Sequence, residues 1–262
     1  EIDSYTYEVP SSLVEKIKIG QLVSVPFGKR SPIGLILDTR FQIPDTKISI
    51  KPITSILLEK PILLPYQIEL LKWMSGYYIA PMVNCLEAML PEIPRKLSIV
   101  NSKLEASIHH SPLTIHQTIV LVPSINHLPQ VMSQFHKAKN YAIYTNELKT
   151  SERFNVWQKI LSNHCDFIFG SRSAIFAPSP NLKKIIFFDE HDGAYKDSRS
   201  PYFDTLTVAE KISELTQAEL EIIDSSPKVS TFFDHSKIVE ISRPLVQAKI
   251  ISIDKGRVSL SL

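Results

Sequence analysis

Two polar clusters, each directly after an apolar strand, are the residues of this chain best suited to chemistry. Gly170-Ser171-Arg172-Ser173 follows the apolar run Phe167–Phe169, and Asp189-Glu190-His191-Asp192 follows Ile185–Phe188. Hydroxyl and guanidinium groups bind phosphate oxygens, and a carboxylate at the end of an apolar strand completes a magnesium–nucleotide site. The candidate catalytic residues are therefore Asp189, Glu190 and His191, in a degenerate form of that strand-end pattern.

A third polar cluster, Pro123-Ser124, follows the apolar strand Ile119–Val122. In an open parallel sheet, ligands bind beyond the carboxyl ends of the strands, so all three clusters are expected at one edge of the sheet. Capped strand ends would explain any one cluster alone. Three clusters in this order favour a functional edge.

The chain lacks the loop that would hold a triphosphate at such an edge. The pattern Gly-x-x-x-x-Gly-Lys-Ser/Thr, whose backbone amides and lysine hold the β and γ phosphates, occurs nowhere in the sequence, and the seven glycines are scattered. Loss of those contacts weakens nucleotide binding by orders of magnitude. We therefore expect no ATP hydrolysis.

The fold class expected is α/β, in two modules. Residues 1–97 have short strands separated by turn residues, which predicts a β-rich module, and then a helix over Pro65–Tyr78. Residues 98–117 show little periodicity and are interpreted as a linker. Residues 118–262 alternate strands and helices, which is typical of a parallel sheet covered by helices. The predicted strands are Tyr5–Val9, Gln21–Val25, Ile33–Leu37, Lys51–Leu58, Ile119–Val122, Tyr141–Tyr144, Asp166–Phe169, Ile185–Phe188 and Leu220–Ile223.

Composition excludes little beyond membrane spans. The 262 residues carry a net charge of +2, but the segment Lys16–Lys51 has seven basic and two acidic residues, a local excess that attracts phosphates. A solvated sheet face is the alternative for this segment. No apolar run approaches the roughly 20 residues of a membrane span. Cys85 and Cys165 share no metal-ligand spacing, so both are expected to be reduced core thiols of a cytoplasmic protein.

The order of motifs resembles the primosomal protein N′ (PriA) family of bacterial replication-restart helicases. The resemblance covers about nine-tenths of the chain. Its motifs in the second module are Leu121–Ile125, Ser151–Arg153 with Trp157, Gly170–Pro178, and Glu190–Lys196 with Pro201-Tyr202. Those in the first module are Tyr5–Tyr7, Val25–Gly28, Lys51–Ile53, Trp73, Tyr77-Tyr78 and Leu90-Pro91.

This resemblance implies a 3′-DNA-end-binding module followed by a RecA-like helicase lobe. Carried over by position, the pocket for the 3′ end would consist of Tyr5, Thr6, Gly28 and Lys51, with Thr6 standing where the family usually has an acid. Tyr5 would stack on a base, Gly28 would allow close approach to the sugar, and Lys51 would meet a phosphate. In the lobe, Ser171, Arg172 and Ser173 would touch the DNA backbone.

Departures from the family concern the motor. The family's winged-helix domain and phosphate loop would lie between the two modules, where only residues 98–117 stand here. The family's metal-binding aspartate aligns with Phe188. The family's ATP and Mg²⁺ are therefore not expected here, and its zinc-binding cysteines and second lobe would lie beyond Leu262. We expect no cofactor.

The sequence thus favours a DNA-binding protein of replication restart that recognises 3′ ends at forked or single-stranded DNA without ATP-driven unwinding. The expected partners are such DNA, other primosome proteins and single-strand-binding protein. Two alternatives remain open. One is a fragment of an active ATP-dependent 3′–5′ helicase, and the other is a protein-interaction scaffold that no longer binds DNA.

Overall fold

A computed structural model describes the chain outside a few segments. The described residues are 4–39, 50–94, 116–136, 138–225, 228, 231, 238–240, 249–254 and 257–261. The predicted linker, residues 98–117, falls almost entirely outside them. Within the described residues, no helix is both long and apolar enough to cross a membrane.

A small antiparallel sheet forms the first part of the chain. Strand β1 (Leu22–Ser24) lies between β2 (Ile33–Leu35) and β3 (Ser55–Ile56). Gly20 precedes β1 with φ +84°, and a Cβ there would collide with the carbonyl oxygen of Leu63. Glycine is therefore required where the chain passes this closely over the segment that leads to the first helix.

Two helices follow this sheet. Helix α1 (Pro65–Tyr77) has proline at its first position, where the missing N–H costs no hydrogen bond. Helix α2 (Met82–Met89) begins after Pro81. Between them, Ile79 adopts φ +50° with its side chain 93 % exposed, an uncommon conformation for a β-branched residue.

The second part is a six-stranded parallel sheet in the order β5-β6-β4-β7-β8-β9. This confirms the α/β fold class, with a RecA-like lobe after the first module. The strands and their helices are β4 (Gln117–Leu121), α3 (Leu128–Gln134), β5 (Tyr141–Tyr144), α4 (Thr150–Leu161), β6 (Phe167–Gly170), β7 (Leu182–Phe188), α5 (Thr205–Thr216), β8 (Glu219–Ile223) and β9 (Ile238–Glu240). An antiparallel hairpin of β10 (Lys249–Asp254) and β11 (Arg257–Ser261) follows.

The two faces of the parallel sheet carry different apolar clusters. One face packs against α4 and α5, with Phe154, Trp157 and Ile212 fully buried. The other face is packed by the short helix α3 through Leu128 and Val131. Both cysteines are buried thiols outside any disulfide, as the sequence predicts, and burial raises the pKa of the Cys165 thiol to about 11.

The larger of these clusters also includes buried residues of the first module. Leu70 and Met74 of α1 are fully buried in the same core as residues of α4 and α5. Hydrogen bonds cross the junction: Trp157 Nε1 donates to the carbonyl of Ile62 over 3.1 Å, and Tyr66 Oη donates to the carbonyl of Ala177 over 3.3 Å. The division of the chain into modules at residues 97 and 118 stays a proposal. Helix α1, which belongs to the first module in that division, packs against the lobe.

Several element limits differ from the sequence predictions. Tyr5–Val9 is not a strand but an extended segment with one parallel bridge, between Glu8 and Pro52. The strand predicted over Lys51–Leu58 is reduced to Ser55–Ile56, because the first half of that range pairs with this extended segment instead. Helix α2, strand β9 and the hairpin were not predicted. Helix α3 spans Leu128–Gln134, whereas the amphipathic pattern of the sequence predicts a helix over Leu128–Ala138.

Gln67 provides a test of the junction between α1 and the lobe. Its buried side chain accepts a hydrogen bond from the Leu64 N–H and donates one to the carbonyl of Phe176, both over 2.9 Å. Gln67→Leu preserves the volume and leaves both backbone groups unpaired, so we expect a loss of about 2–3 kcal/mol in unfolding free energy, measured by urea denaturation. The exposed Gln130→Leu is the matched control, expected to change stability by less than about 0.5 kcal/mol. Equal effects of the two changes would contradict this packing.

Candidate functional site

The three polar clusters lie at one edge of the parallel sheet, as their positions in the sequence predict. Strands β6 and β7 both pair with β4 in parallel, so the residues after Leu121, Gly170 and Phe188 leave the sheet on the same side. A short 3₁₀ helix, Arg172–Phe176, follows β6, and another, Gly193–Tyr195, follows the acidic cluster. We call this region the carboxyl edge.

Gly170 is needed at this edge for close packing. A Cβ at this position would collide with the carbonyl oxygen of Tyr144 and would approach the Cβ of Ala174 to 2.5 Å. The chain therefore turns tightly into the 3₁₀ helix, which buries Ser173. The Ser173 hydroxyl has no hydrogen-bond partner among the described residues, whereas Ser171 is partly exposed.

The Arg172 guanidinium binds the loop after the acidic cluster. Its Nη1 donates to the carbonyls of Ala194 and Lys196 over 3.0 and 2.6 Å, and its Nη2 lies 3.4 Å from a carboxylate oxygen of Asp197. Only 26 % of the side chain is exposed. Arg172 thus holds two loops of the carboxyl edge together, and its predicted contact with a DNA backbone stays a prediction.

Glu190 is fully buried and both its carboxylate oxygens are occupied. Oε1 accepts from the backbone N–H of Lys228 over 2.9 Å, and Oε2 accepts from the Thr231 hydroxyl over 2.7 Å. A buried carboxylate is tolerated only when such donors replace water. Glu190 therefore anchors the chain beyond β8 to the end of β7.

His191 pairs with Asp224, a buried carboxylate directly after β8. His191 Nδ1 lies 2.9 Å from both carboxylate oxygens, and the His191 N–H donates to Oδ2 over 3.2 Å. The hydrogen bond to Asp224 raises the pKa of His191 above its usual range. The pair therefore stabilises the fold fully below about pH 6.5, and this contribution is lost as pH rises through the raised pKa.

Asp189 sits in a left-handed backbone conformation at the end of β7, with φ +51°. Partial burial raises the pKa of its carboxyl, and the negative charge of Asp224 adds to the effect. Asp192 accepts from the Ala194 N–H over 2.7 Å and begins the 3₁₀ helix. Within the described part of the chain, no group of three or more His, Cys, Asp or Glu side chains is arranged to hold a metal ion.

Sequence reasoning missed Asp224 and Thr231. Asp224 follows the apolar strand Leu220–Ile223 as the other clusters follow their strands, so that pattern could have identified it. Thr231 stands 41 positions from its partner Glu190, and no local pattern marks it.

In the first module, two of the predicted 3′-end residues, Tyr5 and Gly28, lie at a tight turn. Phe27 and Arg30 exchange two backbone hydrogen bonds, of 2.9 and 3.0 Å, so Gly28 and Lys29 form a two-residue loop. Gly28 has φ +60°, which favours glycine, and no atom of the described residues lies within 4 Å of where its Cβ would be. The space above Gly28 is open to a ligand.

Tyr5 contacts this turn, Thr6 follows Tyr5, and Lys51 lies on the segment paired with Glu8. The rings of Tyr5 and Phe27 meet edge to face with centroids 5.4 Å apart, and they are 62 % and 51 % exposed. The Glu8 N–H donates to the carbonyl of Lys51 over 3.0 Å, which holds the segment containing Tyr5 and Thr6 beside Lys51. Thr6 and Lys51 are exposed. We call Tyr5, Thr6, Phe27–Arg30 and Lys51 the turn surface.

The turn surface carries uncompensated positive charge. Among the described residues, the side chains of Lys29, Arg30 and Lys51 form no ion pair or hydrogen bond, and all three are exposed. Asp3 and Glu8 are the acids nearest in sequence to Tyr5 and Thr6. Exposed aromatic rings beside free cations suit a strand with bases and phosphates.

Comparison with known proteins finds relatives of the first module. Residues 2–91 match the family model of the 3′ DNA-binding domain (3′BD) of PriA. Replication restart protein PriA of Synechocystis sp. is 34 % identical over 117 residues, 44 % of this chain and 14 % of that protein. PriA of Bacillus subtilis is 32 % identical over 118 residues, 44 % of this chain and 15 % of that protein.

A longer match extends through both parts of the chain. PriA of Helicobacter pylori strain J99 is 24 % identical over 254 residues, which is 81 % of this chain and 40 % of that protein. The chain thus spans less than half the length of these relatives. Residues 2–91 are thus similar to the 3′ DNA-binding domain of PriA, and most of the chain is similar to PriA relatives.

Proposed function

We propose that this chain binds the 3′ end of forked or single-stranded DNA through the turn surface and acts in replication restart without ATP-driven unwinding. The observation that carries the proposal is the set of three unpaired cations beside two exposed rings at the Gly28 turn. The match of residues 2–91 to a 3′ DNA-binding domain supports the same site.

Each residue has a distinct part in this proposal. Tyr5 and Phe27 offer ring surface for the terminal base, since aromatic stacking tolerates every base. Gly28 lets the sugar approach the backbone, because no side chain fills the space above it. Lys51 contacts a phosphate near the end and contributes to salt-dependent affinity.

The absence of a motor is part of the proposal and is supported by the carboxyl edge. Glu190 is one of the candidate catalytic residues, and its two carboxylate oxygens accept hydrogen bonds from the Lys228 N–H and the Thr231 hydroxyl. His191, another candidate, pairs with Asp224. No phosphate-loop pattern occurs in the sequence. These groups stabilise the lobe instead of orienting a nucleotide or a metal.

The place of the protein in the cell is a further part of the proposal. The relatives are replication restart proteins, so the expected partners are forked DNA, other primosome proteins and single-strand-binding protein, in the cytoplasm. ATP-driven unwinding by this polypeptide would support the helicase-fragment alternative. Failure to bind any DNA would support the scaffold alternative.

Lys51→Ala tests end recognition. We expect affinity for a single strand with a free 3′-OH to fall about five- to tenfold, because one charge-assisted phosphate contact is lost. Affinity for a closed circle of the same sequence should fall less than about twofold. Fluorescence anisotropy measures the affinity for the labelled linear strand, and competition with unlabelled circle measures the affinity for the circle.

Lys183→Ala is the matched control, since this exposed lysine lies in the lobe and carries the same charge. It should lower neither affinity by more than about twofold. An equal loss on the linear strand and the circle for Lys51→Ala would indicate a plain phosphate contact and would argue against recognition of the end.

Glu190 variants test whether the carboxyl edge is structural. Glu190→Ala leaves the Lys228 N–H and the Thr231 hydroxyl without an acceptor, so we expect a loss of about 2–4 kcal/mol in unfolding free energy by urea denaturation. Glu190→Gln keeps one acceptor and should lose less. DNA affinity should be unchanged in the folded Gln variant. Wild-type stability in the Ala variant would show that Glu190 is not an anchor.

A further inference from the structure

We infer that the turn surface accepts a DNA strand ending in a 3′-phosphate at least as well as one ending in a 3′-OH. This inference rests on the proposed function, because it specifies the chemistry of the end that the same surface takes. The chemical class is a phosphorylated terminus, such as strand cleavage leaves, as distinct from the hydroxyl terminus that a polymerase extends.

The backbone of the turn supplies the first argument. The N–H groups of Phe27 and Arg30 are used inside the turn, whereas those of Gly28 and Lys29 make no hydrogen bond among the described residues. Both residues are exposed. Successive free N–H groups at a turn bind anions, and Gly28 has no side chain to block an approaching phosphate.

Charge supplies the second argument. The side chains of Lys29 and Arg30 belong to the turn itself, and Lys51 lies on the segment that the Glu8 N–H holds beside it. None of these three cations forms an ion pair among the described residues, although the neighbouring segment carries Glu8 and, before the described part of the chain, Glu1 and Asp3. An added terminal phosphate can therefore pair with a cation that has no carboxylate partner among the described residues.

Thr6 supplies the third argument. Its neutral hydroxyl follows Tyr5, whose ring contacts Phe27, and it is exposed. A hydroxyl can donate a hydrogen bond to a phosphate oxygen, whereas a carboxylate at the same place would repel it. Thr6 is therefore a specificity-determining residue for the terminus.

Four oligonucleotides of one sequence test the inference. Three are linear: the first has a 3′-OH, the second has a 3′-phosphate, and the third has a 3′-OH together with a 5′-phosphate. The fourth is a closed circle. At low salt we expect the 3′-phosphate strand to bind about as tightly as the 3′-OH strand or up to tenfold tighter, since a charge-assisted contact is added. The 5′-phosphate should add less than about twofold, and millimolar inorganic phosphate should compete most against the 3′-phosphate strand.

Two variants separate the terminus from general electrostatics. Thr6→Asp should reduce affinity for the 3′-phosphate strand about tenfold and for the 3′-OH strand about threefold or less, because the new carboxylate repels the added charge. Thr6→Asn, neutral and polar, should keep the wild-type ratio of the two affinities. Lys29→Gln should reduce the 3′-phosphate affinity more than the 3′-OH affinity.

The outcomes distinguish failure of this inference from failure of the proposed function on which it rests. Binding of the 3′-OH strand more than about twofold tighter than the 3′-phosphate strand overturns the inference and leaves end recognition intact. Equal binding of both linear strands and the circle overturns the proposed function itself. An equal gain from a 5′- and a 3′-phosphate shows general charge attraction and overturns the inference as well.

Discussion

A buried carboxylate must find donors inside the protein, and this constraint shapes the carboxyl edge of the sheet. Glu190 meets it with a backbone N–H and a hydroxyl from the chain beyond β8, and Asp224 meets it with His191. Arg172 also joins two loops of this edge, because its guanidinium donates hydrogen bonds to the carbonyls of Ala194 and Lys196. We propose that the polar groups that would bind a nucleotide in a motor lobe bind one another here, so that the edge is a structural joint.

The turn surface presents the opposite situation. Its cations and the N–H groups of Gly28 and Lys29 have no partner among the described residues, and its two rings are more than half exposed. Unsatisfied charge on a surface is tolerated because water solvates it, and it is available to a ligand. Helix α1 connects the two regions, since its buried face shares one core with α4 and α5.

Local patterns in the sequence were sufficient for strands β4 to β8 of the lobe and for the edge on which their polar ends meet, but not for β9. Apolar runs such as Ile185–Phe188, followed at once by polar residues, mark a buried parallel strand whatever its partners are. The joint itself depends on pairs such as Glu190 with Thr231, which only the folded chain brings together. Tyr5–Val9 alternates like a strand, yet tertiary contacts leave it a single bridge to the segment at Pro52.

The central claim is that the carboxyl edge is closed by its own hydrogen bonds and holds no nucleotide. Urea denaturation of the intact chain with increasing Mg²⁺ and ATP tests this directly, because a ligand that binds only the folded state adds about 2.7 kcal/mol at one hundred times its dissociation constant. The account predicts an unchanged midpoint up to millimolar nucleotide. A midpoint that rises steadily with the logarithm of nucleotide concentration, and only when Mg²⁺ is present, would contradict it.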